Sequence, residues 1–364
     1  MLVRYGTSAE GKPVKKAELY TAEDHRIDPA LIDPDARRIV HRLRRFGFKA
    51  YIVGGAVRDL ITGLRPKDFD IATEAFPRKI RRIFRHSRII GRRFRIVHVY
   101  SQHDNKRKIF EVSTFRSRQS EGDGTKRGRR NSGNNIYGSM EEDAWRRDFS
   151  LNALYYCPDR QVIIDFVGGY RDIQEKKLRT LAPTDASFSE DPVRMIRGIK
   201  YAELTGFPLP PALTAAIKRH RDKLADCSPA RLTEEVYKIL GSGYAAGIFL
   251  RAYQLRLLAV FLPALHDYWR SLGRRRLIQT IHGSLGALDK RMRSNSEPAV
   301  SRGVMLAYLL KGCCEQSELA GNQEELVESA AGRIREAARP LLPSRRESER
   351  AARLMLRWKA KNTR

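Results

Sequence analysis

The hydrophobic period of the sequence changes near residue 185, and this change limits the folds open to the chain. Before that point, short apolar runs alternate with polar residues, as β-strands do at a period of two. After it, apolar residues recur at intervals of three and four, which is typical of amphipathic helices. We therefore predict an α+β fold, with a small mixed sheet in the first half and a helical second half.

Local patterns place the individual elements. Strands are predicted at 51–53, 70–73, 95–100, 108–113 and 151–156. Helices are predicted at 34–47, 191–204, 212–224, 229–240, 247–261, 274–292, 299–311, 323–339 and 346–361. Residues 1–30 are polar and weakly periodic, so we expect a loosely ordered tail there. Residues 117–135, which are rich in Gly, Ser, Asn and charge, indicate a mobile basic loop.

The charge balance restricts the function. Of the 364 residues, 70 are Lys or Arg and 42 are Asp or Glu, which gives a net charge of +28. An excess of this size favours a polyanionic partner, usually nucleic acid, although a solvated basic surface without a partner would look the same. Two stretches are especially basic. Residues 78–95 hold nine Lys or Arg and no acid, and residues 333–364 hold 11 against three acids, with Trp358 near the end. Either stretch could bind RNA or be solvated.

Other classes of protein are excluded. The four cysteines (Cys157, Cys227, Cys313 and Cys314) form no CxxC pair, which argues against a zinc finger or a disulfide scaffold and fits a reducing compartment. The N-terminus has no apolar signal core, and the most apolar stretch, 245–265, is interrupted by Arg251 and Arg256. We therefore expect a cytoplasmic protein with no membrane partner. The sequence leaves the oligomeric state open, with a monomer favoured.

A glycine pair follows the first predicted strand. Gly54 and Gly55 allow a ligand close to the backbone, and the amides at the start of the following helix can hold phosphate oxygens. Arg58 could add a charge-assisted contact to a phosphate. The spacing matches neither a P-loop nor a dinucleotide-binding fingerprint, and a plain tight turn would have the same sequence.

Two carboxylates lie near the start of the next strand. Residues i and i+2 of a strand point to one face, so Asp68 and Asp70 would repel each other unless a cation joined them. Such oxygen ligands suit Mg²⁺ held together with substrate phosphates, and Glu111 is a candidate third ligand from a neighbouring strand. Two ions about 3.5–4 Å apart could activate an attacking hydroxyl and stabilise a leaving pyrophosphate. The alternative is a solvated pair of surface acids.

This combination resembles the head signature of the class II nucleotidyltransferases. The family comprises bacterial poly(A) polymerases and tRNA CCA-adding enzymes, within the DNA polymerase β-like superfamily. Its first motif is similar to Gly54-Gly55-x-Val57-Arg58-Asp59, eight residues, and Asp68-x-Asp70-x-x-Thr73. Four further segments are similar to later family motifs, in the same order: Arg146–Leu154, Asp165-x-x-Gly168-Gly169, Glu190-Asp191-Pro192-x-Arg194-x-x-Arg197 and Ser228-Pro-Ala-Arg231-Leu-x-x-Glu234. The resemblance covers about residues 40–245.

The resemblance implies an architecture and a set of roles. The domains would be a catalytic head (31–185), a helical neck that recognises the base (186–245) and an RNA-binding helical body (246–364). The triphosphate would be bound by Gly54, Gly55 and Arg58, and the ribose and phosphates by Arg146, Arg147 and Asp148. The incoming base would be read by Asp191, Arg194 and Arg197. From the residues alone, 146–148 could equally be a surface salt-bridge cluster, and Asp191 with Arg194 an ordinary i,i+3 ion pair.

Within the family, several segments resemble the poly(A) polymerases: Ile89–Val99 with Arg92 and Arg93, Pro66–Asp70 and Tyr137–Asp143. The implied activity is template-independent transfer of AMP from ATP to RNA 3′ ends, a step in mRNA processing, with Mg²⁺ as cofactor. The alternative within the family is a tRNA CCA-adding enzyme that uses CTP and ATP. A basic RNA-binding protein with an inactive head is a third reading, against which the intact acidic pair and glycine motif argue.

Overall fold

The chain folds into two compact units. The computed structural model describes residues 2–7, 13–91, 95–103, 106–117, 137–294, 299–314 and 322–362. Compact packing divides the chain into Met1–Ala182 and Pro183–Arg364, close to the change of hydrophobic period. The first unit contains every described strand and the second is helical, so the predicted α+β class is confirmed.

One mixed sheet organises the first unit. Its nine described strands are β1 Leu2–Thr7, β2 Pro13–Tyr20, β3 Ala50–Val53, β4 Asp70–Thr73, β5 Ser87–Ile90, β6 Ile96–His103, β7 Lys106–Thr114, β8 Leu154–Cys157 and β9 Val162–Asp165. They are arranged in the order β1-β2-β9-β8-β3-β4-β7-β6-β5. The described pairs are antiparallel except β4 with β7, which are parallel. This exception makes the sheet mixed, as predicted, and it places the start of β4 beside the middle of β7.

Short helices surround the sheet. They are α1 Ala22–His25, α2 Pro34–Arg45, α3 Gly55–Ile61, α4 Pro77–Ile83, α5 Met140–Trp145 and α6 Gly169–Gln174, with 3₁₀ turns at Pro29–Leu31 and Ser150–Asn152. The α2 helix begins where the Asp33 side chain accepts a hydrogen bond from the Asp35 amide at 2.8 Å. Its Ile39, Val40 and Leu43 are buried, as the amphipathic pattern predicts.

The prediction of a loosely ordered N-terminal tail over residues 1–30 is wrong. Strands β1 and β2 pair with each other, and β2 also pairs with β9, with Tyr20 opposite Ile163. Ala17 and Tyr20 are buried in this arrangement. The alternation of polar and apolar residues in β2 extends over only a few residues, so it gives a weak strand signal. Its partner β9 lies far along the chain, so the pairing itself has no local signal. Strands β5 and β9 were not predicted either.

The second unit is built from helices α7 to α18. They are α7 Thr184–Glu190, α8 Val193–Thr205, α9 Pro211–His220, α10 Pro229–Leu240, α11 Ala245–Gln254, α12 Leu258–Phe261, α13 Pro263–Ser271, α14 Arg274–Ile281, α15 Ala287–Arg293, α16 Arg302–Leu310, α17 Gln323–Ala337 and α18 Arg345–Asn362, with a 3₁₀ turn at Arg221–Asp226 and a π-helical turn at His282–Gly286. The large side chains of Phe249, Phe261 and Trp269 lie in its core.

Most predicted elements are present with shifted ends. The helix predicted at 247–261 is divided near Arg256, whose φ of 58° is incompatible with a continuous helix. The strand predicted at 151–156 begins only at Leu154, because a 3₁₀ turn precedes it. The loop predicted at 117–135 lies outside the described residues, apart from Ser117. Among the helices that the structure describes, none combines the length and apolar character needed to span a bilayer.

Candidate active site

A sharp turn joins β3 to α3 and brings three parts of the chain together. Gly54 has a φ of 72°, a conformation that favours glycine, and α3 begins at the next residue. A side-chain carbon at Gly54 would lie 3.4 Å from Nη1 of Arg147 and 3.9 Å from Oδ2 of Asp70. A guanidinium, a carboxylate and a sharp glycine turn therefore meet at the carboxyl end of β3.

Sheet register brings two of the predicted acids side by side. Asp70 is the first residue of β4 and lies opposite Val53 of β3. The next residue, Ile71, pairs with Val112 of β7, so Asp70 lies beside Glu111 on the neighbouring parallel strand. Both acids are exposed, as is Asp68. Asp68 lies in the loop before β4, so the alternation argument from the sequence does not extend to it.

The carboxylates fit Mg²⁺ that is shared with a nucleotide. Among the described residues, no group of three or more His, Cys, Asp or Glu side chains could hold a metal ion. The Glu111 carboxylate lies 3.6 Å from Nε2 of His98. Mg²⁺ is commonly bound by one or two carboxylates together with substrate phosphates, so a site without a complete protein cage is consistent with this metal. The exposed carboxylates of Asp68 and Asp70 supply the oxygen donors that such a site needs.

A buried carboxylate that the sequence analysis did not select organises the arginines. Asp143 of α5 is 2% exposed and accepts hydrogen bonds from Arg146 Nε at 2.8 Å, Arg147 Nη2 at 3.1 Å and Tyr155 Oη at 2.8 Å. Burial alone would raise the pKa of Asp143, but the guanidiniums of Arg147 and Arg146 hold it below its usual range. The i+3 and i+4 spacing to two arginines is the sequence signal that could have identified this acid.

The other predicted head residues are held by a hydrogen-bond network. Arg147 Nη1 donates to the Asn152 carbonyl at 3.2 Å, and its guanidinium lies over the Tyr155 ring at 5.5 Å. Asp148 accepts from the Phe149 amide at 2.8 Å. Arg58 is only 5% exposed, and its Nη1 donates to Asn152 Oδ1 at 2.9 Å. These contacts join the glycine motif to the segment at 146–154.

The sequence predicts that Arg58 contacts a phosphate, whereas in the structure its guanidinium is bonded to protein side chains. Its Nε and Nη2 both donate to Asp59 Oδ1, at 2.9 and 2.7 Å. A side-chain carbon at Gly55 would lie 3.5 Å from Nη2 of Arg58. The guanidinium thus lies next to Gly55, held by Asp59 and Asn152, where it stabilises the turn.

The Asp165-x-x-Gly168-Gly169 segment has a clear local explanation. The buried Asp165 carboxylate accepts hydrogen bonds from four successive backbone amides, Val167 to Tyr170, at 2.9–3.1 Å. A side-chain carbon at Gly169 would lie 2.1 Å from the Ser150 carbonyl oxygen. Only glycine permits this approach, which fixes α6 against the turn that follows Asp148.

In the second unit, the predicted base-reading residues are paired with other partners. Asp191 Oδ2 accepts from Arg231 Nη2 at 2.8 Å, whereas its Oδ1 is buried without a hydrogen-bond partner among the described residues. Arg194 Nη1 donates to Glu190 Oε2 at 2.8 Å and to Ser187 Oγ at 3.2 Å. Their contacts are thus not those of a simple i,i+3 pair, and the Asp191–Arg231 bond joins two of the sequence motifs.

Arg197 takes part in a buried ion cluster. Its Nε donates to Glu235 Oε2 at 3.1 Å, and Lys200 Nζ contacts the other oxygen of the same carboxylate. Glu235 is 3% exposed, and burial would raise its pKa, but Lys200 and Arg197 hold that pKa below the usual range. These contacts link α8 to α10.

Comparison with known families agrees with these motifs. The model of the poly A polymerase head domain matches residues 50–179, and the model described as "Probable RNA and SrmB- binding site of polymerase A" matches residues 206–268. Together the two matches cover more than half of the chain. The chain belongs to the nucleotidyltransferase family of poly(A) polymerases and CCA-adding enzymes.

Curated relatives come from both branches of this family. The chain is 38% identical to poly(A) polymerase I of Salmonella typhimurium over 298 residues, which are 79% of this chain and 63% of that protein. It is 37% identical to the CCA-adding enzyme of Geobacillus stearothermophilus over 212 residues, 58% of this chain and 50% of that one. The chain thus spans less than two thirds of the length of these relatives.

Solved structures agree with the fold. The CCA-adding enzyme of Bacillus stearothermophilus in complex with CTP is 26% identical, with a TM-score of 0.55, and the match covers 90% of this chain and 83% of that one. A tRNA nucleotidyltransferase complexed with a primer tRNA and an incoming ATP analog has a TM-score of 0.59 at 22% identity, covering 89% and 84%. The second likeness shows the fold alone.

Proposed function

We propose that this chain transfers AMP from ATP to the 3′-hydroxyl of RNA without a template and releases pyrophosphate. The observation that carries the proposal is the meeting of the Gly54 turn, the Arg147 guanidinium and the Asp70 carboxylate at the end of β3. A phosphate chain needs an open backbone and fixed positive charge, and its metal needs carboxylate oxygens. Longer matches to poly(A) polymerases than to CCA-adding enzymes support the choice of AMP.

In this proposal the head residues bind and orient ATP. The triphosphate is placed at the Gly54–Gly55 turn, Arg146 and Arg147 supply positive charge, and Arg58 stabilises the turn from its position next to Gly55. Asp148 accepts a hydrogen bond from a ribose hydroxyl. The RNA 3′-hydroxyl then loses its proton to solvent, its oxygen bonds to the α-phosphorus in line with the leaving group, and the bond from that phosphorus to the bridging oxygen of pyrophosphate breaks.

Asp68 and Asp70 are the proposed Mg²⁺ ligands, with Glu111 assisting and two ions in total. When bound, Mg²⁺ polarises phosphoryl oxygens and lowers the pKa of a coordinated hydroxyl. The protein's own part is to hold the exposed Asp70 carboxylate at the start of β4, near Gly54, with the exposed Asp68 carboxylate in the loop just before it. Fixing these groups in advance reduces the reorganisation that the reaction requires.

Adenine recognition is assigned to the second unit. Within the part of the chain that the structure describes, the buried Asp191 Oδ1 atom accepts no hydrogen bond, and Arg231 fixes the orientation of that carboxylate. A carboxylate can accept a hydrogen bond from the exocyclic amine of adenine, and an arginine can donate to ring nitrogens. We assign the donor role to Arg194 and a supporting role to Arg197, which is tied to Glu235.

The proposed domains are a head at 31–185, a neck at 186–245 and a body at 246–364. The proposed partners are RNA 3′ ends and ATP. The cytoplasm is the proposed location, and a monomer is the favoured state.

One assay tests the proposal directly. Purified protein with Mg²⁺ is offered a generic single-stranded RNA and a tRNA lacking its CCA end, with each nucleoside triphosphate supplied alone and then with CTP and ATP together. We expect a ladder of added A residues on both RNAs and little incorporation of C. An Asp70→Asn variant, which keeps the side-chain shape, is the matched inactive control. Addition of C, C and A to the tRNA followed by a stop would assign the alternative CCA-adding activity instead.

Nucleotide preference gives a second test that concerns a segment outside the described residues, Arg92–Phe94. Our hypothesis is that Arg92 and Arg93 keep the base pocket in one adenine-selective shape. Replacing both with Ala should increase misincorporation of CTP on a generic RNA more than it slows AMP addition. An unchanged ratio of CTP to ATP incorporation would remove this role.

A further inference from the structure

The C-terminal helix α18 carries a continuous row of arginines on one face. Arg346, Arg350, Arg353 and Arg357 are separated by four, three and four residues, and all are exposed. At about 100° per residue, their directions fall within roughly 60° of one another around the helix axis. We call these four residues the arginine stripe.

The stripe faces away from the core because the opposite side of α18 is buried. Ser348, Ala351, Ala352 and Met355 are at most 8% exposed, and helical spacing places them about half a turn from the stripe. The small side chains of Ser348, Ala351 and Ala352 suit close helix packing. The helix thus holds the four guanidiniums toward solvent on a packed support.

The end of the helix is fixed as well. Trp358 makes an edge-on contact with Tyr308 of α16, with ring centroids 5.0 Å apart, and Lys311 Nζ lies 5.2 Å from the centroid of the Trp358 ring. Trp358 is therefore packed against α16 within the unit. This contact stabilises the last turns of α18 and adds the positive charge of Lys311 near Arg357.

The positive charge of the stripe is not neutralised by any ion pair among the described residues. Elsewhere in the second unit, arginines are paired with acids at 2.7 Å, as Arg251 is with Glu203, Arg302 with Glu234 and Arg345 with Glu349. No member of the stripe forms such a pair within the described part of the chain. Like charges at i,i+4 repel each other, so an external polyanion would remove an unfavourable interaction that the fold retains.

We propose that the arginine stripe binds the phosphate backbone of single-stranded RNA. It extends over about 16 Å, the length of about five stacked nucleotides at roughly 3.4 Å each. The nearest acids on the helix are Glu347 and Glu349, and Glu349 is paired with Arg345. Exposed guanidiniums that form no ion pair within the described residues match the charge of such a strand and provide no pocket for individual bases. The surface lies outside both matched family ranges. This inference rests on the proposed function only in taking RNA as the substrate.

Salt-dependent binding of RNA tests the stripe. The probe is a fluorescein-labelled 12-nucleotide oligo(A) RNA, measured by anisotropy with EDTA and without ATP, so that nucleotide transfer plays no part. Each phosphate contact to single-stranded RNA contributes about 0.7 to the slope of log K against log salt. The quadruple variant R346Q/R350Q/R353Q/R357Q should therefore have a slope that is shallower by about 2–3. The double variant R353Q/R357Q should show about half of this change, and it replaces the quadruple variant if that one does not fold.

Two matched variants separate the stripe from bulk charge. Lysine at all four positions keeps the charge and should keep most of the slope. Replacing Arg274, Arg275, Arg276 and Lys290 with Gln removes the same charge from exposed sites on α14 and α15 and should change the slope by less than 1. An equal loss in this control, or an unchanged slope in the stripe variants, overturns the proposal. If the stripe variants lose RNA binding while the wild-type protein transfers no AMP, only the proposed function fails.

Discussion

Replacement of Asp143 is the perturbation whose effects the structure specifies most closely. Its carboxylate accepts bonds from Arg146, Arg147, Tyr155 and the Arg116 amide at 2.8–3.2 Å and is 2% exposed. Removing one partner of a buried ion pair costs about 3–5 kcal/mol. The side chains of Arg146 and Arg147 keep 31% and 19% exposure, so solvent would offset part of that cost. We expect Asp143→Ala to lower the free energy of unfolding by about 2–4 kcal/mol.

The same change should also reduce activity, because Asp143 is a positioning residue for Arg147. Without its carboxylate partner, the Arg147 guanidinium is no longer fixed next to Gly54. Loss of one preorganised charge donor typically costs 10²–10³-fold in rate. We therefore expect AMP addition by Asp143→Asn, which keeps the side-chain shape, to fall by about 10²-fold or more at a temperature where the variant is fully folded.

Two measurements check these numbers: urea unfolding followed by circular dichroism, and steady-state AMP addition at varied ATP. Tyr155→Phe is the matched control, since it removes one hydrogen bond to the same carboxylate and should cost only about 0.5–1.5 kcal/mol. If Asp143→Ala unfolds within 1 kcal/mol of wild type, or if Asp143→Asn retains activity within threefold, Asp143 does not hold Arg147 in place.

Three further predictions concern the metal ligands, a glycine and acid stability. Asp68→Ala or Asp70→Ala should reduce AMP addition to below a few per cent of wild type at saturating Mg²⁺ while RNA binding persists; higher residual activity would contradict the metal assignment. Gly169→Ala should destabilise the first unit by about 3 kcal/mol or more, because the new carbon would lie 2.1 Å from the Ser150 carbonyl oxygen. The control Gly273→Ala, where the new carbon has nothing within 4 Å, should change thermal stability little. The pKa of Glu235 is lowered in the folded state, so its contribution to the free energy of unfolding is present above the ordinary pKa of 4.5 and is lost as the pH falls through the folded pKa. Glu235→Gln should therefore flatten the pH dependence of urea unfolding below about pH 4.5. An unchanged pH dependence would contradict the ion cluster.

The sequence by itself determined the features that depend on neighbouring residues. The change of period separates a sheet-containing unit from a helical one, and both are present. Helix α10 has the predicted bounds, because its apolar spacing and its Ser228 N-cap lie within one short segment. The glycine pair and the acids of the first family motif were also visible, since their order and spacing are properties of the linear chain. Membership of the family followed from five such motifs in order.

Only the tertiary structure decided which residues meet. Strand β2 pairs with β9 although the two are far apart in sequence, and this pairing turns an apparently disordered tail into part of the sheet. Likewise, Asp191 pairs with Arg231 and not with its helical neighbour. The spacing of Asp143 to Arg146 and Arg147 is a local signal, but the Tyr155 hydroxyl that also donates to this carboxylate is brought to it only by the fold. Periodicity reports which face of an element is buried, whereas the partner of a charged side chain depends on which distant segments the packed core brings within about 3 Å.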